Sequence, residues 1–179
     1  MIKLGSKELR HSTNKPEGVS RVKRNPIYLV LDSVTDTYNI GSLFRLADAV
    51  AAEKLYVCGE VEYPPSSRIH KAAVGTESWV SWEKKSDATE IVKELKNKGV
   101  QIISVEQNIK SIDYGLLTTD KIHFPLAIVV GNETTGVSRS VLDSSDIIVE
   151  LPMFGVNKSF NVWGSAAVVC YKILESINP

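Results

Sequence analysis

Short apolar runs alternate with amphipathic segments along most of the chain, and this alternation predicts strands and helices in turn. Ile27 to Leu31 (IYLVL), led by Pro26 and closed by Asp32, reads as a buried strand. Asn39 to Ala52 has helical spacing: Ile40, Leu43, Phe44, Ala47 and Val50 or Ala51 fall on one side, and Asn39 can cap the start. Lys54 to Val57 predicts the next strand. A break at Pro64-Pro65 precedes a short helix over Arg68 to Ala73 and a brief strand over Trp79 to Trp82. Ser86 to Lys98 predicts an amphipathic helix. Ser86 or Asp87 caps it, Gly99 ends it, and Ile91, Val92 and Leu95 supply its apolar face. Val100 to Val105, Leu126 to Val130 and Ile147 to Leu151 are three more apolar strands, with a short helix at Ser138 to Leu142. Gln107 to Pro125 is long and follows neither period. The final helix lies within NKSFNVWGSAAVVCYKI, Asn157 to Ile173, which is polar at its head and apolar from Val162 to Leu174.

Continuously apolar strands separated by helices indicate an α/β fold, a parallel sheet flanked by helices. In such sheets ligands bind outside the carboxyl ends of the strands. The loops leaving Leu31, Val130 and Leu151 are therefore where chemistry is expected.

Composition changes this picture little. A chain of 179 residues with 43% hydrophobic and 23% charged residues suits one domain with a real core. No apolar segment is long enough to span a bilayer, and the polar, basic start has no signal-like apolar region, so a cytoplasmic protein is expected. Cys58 and Cys170 form no metal-like spacing and read as buried free thiols in a reducing compartment. Charge is uneven although its total is zero: residues 1–25 carry seven Lys and Arg against two Glu, leaving the remainder acidic by 5. The chain thus divides into a basic arm, 1–25, and a domain, 26–179. The arm suits phosphate contact or a solvated terminus.

Three polar clusters stand at the strand ends. In the first, Asp32 to Val50, Asn39 begins a helix, Gly41 and Ser42 leave backbone accessible, and Arg45 can lean back toward the rim. It reads as a phosphate or ribose clamp, or as a cap with a surface Arg. The second, AIVVGNETTGVS from Ala127 to Ser138, runs a strand into Gly-x-Glu-x-x-Gly. It lacks the spacings of dinucleotide and P-loop sites, has no Lys, and carries Glu133, which repels a pyrophosphate; NAD and ATP sites are excluded. In the third, Pro152 ends a strand, Gly155 permits an unusual turn, and Ser159 or Asn161 can cap the last helix. One cap explains one polar residue, not the whole cluster.

In this order the clusters resemble the motifs of the SpoU (TrmH-like) RNA 2′-O-methyltransferases of the SPOUT superfamily. The residues that carry the likeness are Asn39-Ile40-Gly41-Ser42 with Arg45 and Ala47-Asp48-Ala49, then Val130-Gly131-Asn132-Glu133 with Gly136. Leu151-Pro152-Met153 with Ser159-Phe160-Asn161-Val162 completes them, and Ala72 to Val80 is similar to a further family segment. Where the family commonly has Leu and then small or aliphatic residues, this chain has Phe160 and Trp163-Gly164.

The resemblance implies a deep C-terminal trefoil knot, a homodimer, and transfer of a methyl group from S-adenosyl-L-methionine to a ribose 2′-hydroxyl of tRNA or rRNA. It implies catalytic roles for Asn39, Arg45, Glu133, Ser159 and Asn161, with Glu133 orienting Arg45. It implies a cofactor pocket at Val105, Gly131, Leu151, Met153 and Phe160, and needs no metal. RNA contacts are expected from Arg45 and from Arg68 and Lys71 beside the Pro-Pro turn. The alternatives are a knotted RNA-binding homologue without catalysis and an RNA base methyltransferase. The final helix is expected to be buried on both sides, by the core and by a second subunit.

Overall fold

Residues 22–177 are described by the computed structural model, and they contain seven strands. These are β1 (Asn25–Asp32), β2 (Ala52–Cys58), β3 (Trp82–Lys85), β4 (Gln101–Val105), β5 (Ile112–Asp113), β6 (Leu126–Gly131) and β7 (Ile147–Glu150). They form one sheet in the order β3-β2-β1-β6-β4-β7-β5, every pairing parallel. The helices are α1 (Thr37–Ala49), α2 (Ser67–Ala73), α3 (Ala88–Asn97), α4 (Arg139–Ser144) and α5 (Val162–Leu174). Most of the basic arm, residues 1–21, lies outside the described residues.

Strand periodicity sorts the core into two layers. Ile27, Leu29 and Leu31 of β1, with Leu126, Ile128 and Val130 of β6, face the layer that holds Phe44 of α1 and Val169 and Ile173 of α5. Val30, Ala127 and Val129 face the opposite way, onto Ile91 and Leu95 of α3 and Val141 of α4. Because both faces are covered, these central strands are apolar throughout instead of alternating. Cys58 and Cys170 are buried free thiols, and burial pushes each up to about 12, so both are held as neutral, unreactive groups. No helix among the described residues is long and apolar enough to cross a membrane.

The structure corrects several local expectations. Helix α1 starts two residues earlier than the apolar spacing suggests, because Asp36 accepts the Tyr38 N–H at 2.8 Å and acts as the cap. Asn39 is thereby released for a contact across the fold. The brief strand begins at Trp82, not Trp79: Gly75, at φ 89°, turns the chain into a 3-10 turn over Thr76–Ser78. Trp79 is used in tertiary packing, its indole Nε1–H donating to Asp48 at 2.8 Å. The connection from Gln107 to Pro125 contains β5 and 3-10 turns at Tyr114–Leu116 and Thr119–Lys121, pinned by buried Leu117 and Ile122. Isolated anchors of this kind leave no period to read.

Gly41 also has a different role from the expected one. It is buried, and a Cβ there would lie 2.6 Å from the Ala72 Cβ and 2.6 Å from the Ile69 carbonyl oxygen of α2. The glycine lets two helices touch; it does not expose backbone to a ligand. Gly41→Ala is therefore expected to destabilise the protein. Overpacking costs about 1–3 kcal/mol, and better helix propensity returns about 1 kcal/mol. The clash is with backbone as well as a methyl group, so the steric cost prevails. A lower urea midpoint with an unchanged denaturant slope is the expected result.

Candidate active site

A cavity of about 460 Å³ opens where β4, β6 and β7 end, beside the first turns of α1 and α5. Asn39 enters it from α1, Val105 to Gln107 from the end of β4, and Glu133 from the turn after β6. Glu150 and Leu151 close it from β7, and Ser159 to Val162 lead from it into α5. This is the carboxyl edge of the sheet, where the loops of a parallel fold can converge on a ligand.

The turn after β6 is built from backbone constraints. Asn132 and Gly136 exchange both backbone hydrogen bonds, and the Asn132 side chain accepts the Thr134 and Thr135 N–H groups. A Cβ on Gly131 would lie 2.1 Å from the Val137 nitrogen, so only glycine lets the chain return this closely. Ser138 N–H donates to Asp32 at 2.8 Å, and Asn132 Nδ2 donates to the Ser33 carbonyl at 2.9 Å. The turn is thus tied back to the end of β1.

From this turn Glu133 presents a carboxylate that receives four donors. Oε2 accepts the Thr35 N–H at 3.1 Å and its hydroxyl at 3.0 Å; Oε1 accepts the Asp36 N–H at 3.0 Å and Asn39 Nδ2 at 2.9 Å. Asn39 then accepts from Asn161 Nδ2 at 3.0 Å, and Asn161 Oδ1 accepts the Trp163 N–H at 3.0 Å, capping α5. A carboxylate that only accepts and a backbone N–H that only donates stand at the two ends. Together they fix the orientation of both amides between them. Desolvation pushes the Glu133 carboxyl up, but the hydrogen bonds from Asn39 and the backbone of Thr35 and Asp36 outweigh it and hold the group below its ordinary value.

Among the predicted site residues, Asn39, Glu133, Ser159, Asn161, Val105, Gly131, Leu151 and Phe160 all line this cavity. Arg45, Met153, Arg68 and Lys71 do not line it. Arg45 is exposed and makes no hydrogen bond or ion pair among the described residues. Within this chain the Glu133 carboxylate is occupied by Thr35, Asp36 and Asn39, and Arg45 does not contact it. Arg68 and Lys71 are exposed on α2. Phe160 and Gly164 explain each other, since a Cβ on Gly164 would meet the Phe160 ring at 2.7 Å. Trp163 points outward from α5, 38% exposed, and Gly155 has neither a close neighbour nor a positive φ. Among the described residues the last helix is covered on one side only.

Sequence reasoning gave Asn132 no role beyond its place in a motif, and missed Glu106, Gln107 and the Thr35-Asp36 pair. A weak signal existed for the last, a polar pair just before the helix start. Glu106, Glu133 and Glu150 line the cavity and, among the described residues, no Lys or Arg does, which makes its wall anionic. Among the described residues no group of three or more His, Cys, Asp or Glu could hold a metal ion.

Comparison with known proteins places this geometry in a family. The model of the SpoU rRNA Methylase family matches residues 26–171, and the chain belongs to that family. A tRNA (guanosine(18)-2′-O)-methyltransferase of Borreliella burgdorferi is 28% identical over 159 residues, 88% of this chain and 70% of the relative. A crystal structure of the TrmH/SpoU tRNA modifying enzyme of A. aeolicus superposes with a TM-score of 0.78 at 26% identity, covering 97% of this chain and 82% of that one. The SpoU methyltransferase AviRb from Streptomyces viridochromogenes, in complex with AdoMet, shares the fold with a TM-score of 0.74 at 21% identity, covering 88% and 63%. This chain spans about 60% of the length of the TrmH family relatives it matches in Bacillus subtilis and Staphylococcus aureus.

The lowered Glu133 carboxyl has a consequence for acid stability. An unfolded chain returns it to its ordinary value of 4.5, so its stabilising contribution is complete above that pH. The contribution is lost as pH falls through the lower folded value. Thermal unfolding of the protein and of Glu133→Gln, followed from roughly pH 6 to pH 3, should show the difference between them shrinking toward acid. A difference independent of pH would contradict the assignment.

Proposed function

We propose that this chain is an RNA methyltransferase that takes its methyl group from S-adenosyl-L-methionine and places it on a ribose 2′-hydroxyl of tRNA or rRNA. Membership of the family supports methyl transfer to RNA, and the Borreliella burgdorferi relative, named as a 2′-O-methyltransferase, supports the ribose as its target. The observation that carries the reading is the continuous hydrogen-bonded set Asn161–Asn39–Glu133 at a cavity on the carboxyl edge of the sheet.

The residues present suit the cofactor. Glu106, Glu133 and Glu150, with no lining cation among the described residues, favour a positively charged ligand, and Val105, Leu151 and Phe160 supply apolar wall. When bound, S-adenosyl-L-methionine supplies an electrophilic methyl group on a sulfonium. Val105, Gly131, Leu151 and Phe160 would hold it, with Met153 on the adjoining loop. Ser159 and Asn161, at the mouth of α5, would hold the ribose by neutral hydrogen bonds, and Asn39 would keep Asn161 in place. Arg45 has no partner among the described residues and is available to a substrate phosphate. Its guanidinium, a planar fork of donors with no acceptor, acts as a clamp that holds the hydroxyl in line and not as the base. Arg68 and Lys71 would extend the RNA contact.

The reading includes the trefoil knot and the homodimer of the family. Trp163, Ala167 and Tyr171 recur every fourth residue along α5, and Trp163 and Tyr171 remain exposed at 38% and 55%. An apolar stripe on the outer side of this helix suits a second copy. Trp163→Arg should lower the mass measured by light scattering to that of one chain; an unchanged mass would remove this face from the interface.

Labelled-methyl transfer to fractionated tRNA and rRNA, followed by digestion to nucleosides, tests the function. A 2′-O-methylnucleoside is expected. Label on a base would make the chain a base methyltransferase, and RNA binding without transfer would make it a non-catalytic homologue. In the same assay Arg45→Ala should lower turnover on the order of 100-fold, while calorimetry finds cofactor affinity within about threefold.

A further inference from the structure

We propose that Glu106 is a positioning residue for this reaction. It fixes the turn from Gly131 to Val137, and through that turn it sets where Glu133 presents its carboxylate. The inference rests on reading the cavity as the methyl-transfer site.

Glu106 follows the last residue of β4, and both of its carboxylate oxygens accept backbone hydrogen bonds. Oε2 takes the Val137 N–H at 2.8 Å, across 31 residues, and Oε1 takes the N–H of Gln107 at 2.9 Å. Gly136 is shaped to this contact. Its φ is +71°, and a Cβ there would lie 2.3 Å from Glu106 Oε2. A bare backbone position at Gly136 is thus what allows the carboxylate to reach Val137, which is itself buried. The turn is gripped from two sides, by Glu106 at its β4 side and by Thr35, Asp36 and Asn39 through Glu133 at its α1 side.

The next residue extends the same device. Gln107 Nε2 donates to the Lys158 carbonyl at 2.8 Å, on the loop that leads into Asn161. Hydrogen bonds and short chain segments then form a closed circuit around the cavity: Glu106 to Val137, Glu133 to Asn39, Asn39 to Asn161, and Lys158 back to Gln107. The circuit is closed at β4 by two adjacent side chains. Loss of the Glu106 link frees one end of the turn that carries Glu133, while the buried strands beneath stay paired.

Glu106→Gln is the test. The amide keeps the shape but has one acceptor where the carboxylate has two, so it cannot take both N–H groups. Turnover should fall about tenfold with the KM for RNA within about twofold. If Glu106 acts through Glu133, Glu106→Gln added to Glu133→Gln should slow the enzyme by no more than about twofold beyond Glu133→Gln alone. Multiplying losses would overturn the proposal. Amide resonances decide it without any turnover. In Glu106→Gln the Val137 N–H should exchange about tenfold faster, and the Thr35 and Asp36 amides, which report the Glu133 carboxylate, should shift. Unchanged Thr35 and Asp36 resonances would overturn the proposal even in an active enzyme. Shifted ones in a protein with no transferase activity would leave the turn assignment standing and remove the function. Should Glu106→Gln fail to fold, Gly136→Ala displaces the same carboxylate from the other side and should move the same amides.

Discussion

A single carboxylate holds together parts of the chain that are nearly one hundred residues apart. Glu133 collects donors from Thr35, 98 residues away, and from Asn39, 94 residues away, and Asn39 in turn holds Asn161 across 122 residues. Strand pairing sets β1 and β6 side by side, Leu31 against Val130 and Asp32 against Gly131. It does not determine how the loops beyond them lie. That is settled by a charged acceptor whose donors are backbone N–H groups and short side chains, which together leave it little freedom. Without the carboxylate, the Thr35 and Asp36 N–H groups would lose their partner and Asn39 would have no fixed orientation.

The glycines of this region follow from that geometry. Gly131 ends β6 and must let Val137 return to within contact of its own Cα; Gly136 must adopt a positive φ and leave room for Glu106. The spacing Gly-x-Glu-x-x-Gly thus encodes a turn that carries an acid at its middle and is bare at both ends. It resembles a phosphate-binding loop only in its glycines. Its N–H groups are spent internally, two on the Asn132 side chain and one each on the Asn132 carbonyl and Glu106, so no row of them faces an anion.

This difference explains what could be read in the sequence and what could not. The sheet was legible because β1 and β6 are buried on both faces and carry uninterrupted apolar runs, and β4 is apolar at its centre save for the buried Ser104. Asn39, Glu133 and Asn161 were legible as members of recurrent motifs. Their mutual contact was not, since nothing local distinguishes a helix-capping Asn from one that faces another chain segment. The cap at Asp36 and the packing role of Gly41 were missed for a related reason: an Asn at a helix start and a small residue near it admit local explanations, and the tertiary partner, α2 or Glu133, lies elsewhere in the chain. Glu106 left no trace at all. An acidic residue at a strand end is ordinary, and only the bare backbone of Gly136, thirty residues on, gives it meaning.

Charge then separates the two tasks that the proposed reaction requires. Among the described residues the cavity wall carries Glu106, Glu133 and Glu150 and no cation, so it disfavours a phosphate and favours a sulfonium. Arg45, Arg68 and Lys71 stand exposed outside it. A polyanion drawn to those side chains is kept from entering the cavity by the carboxylates within, and only a neutral ribose can be placed at its mouth without electrostatic cost. There the groups on offer are Ser159 and Asn161, both uncharged. An arginine inside the cavity would neutralise the wall and weaken that separation. Its position outside is therefore what the division of charge calls for.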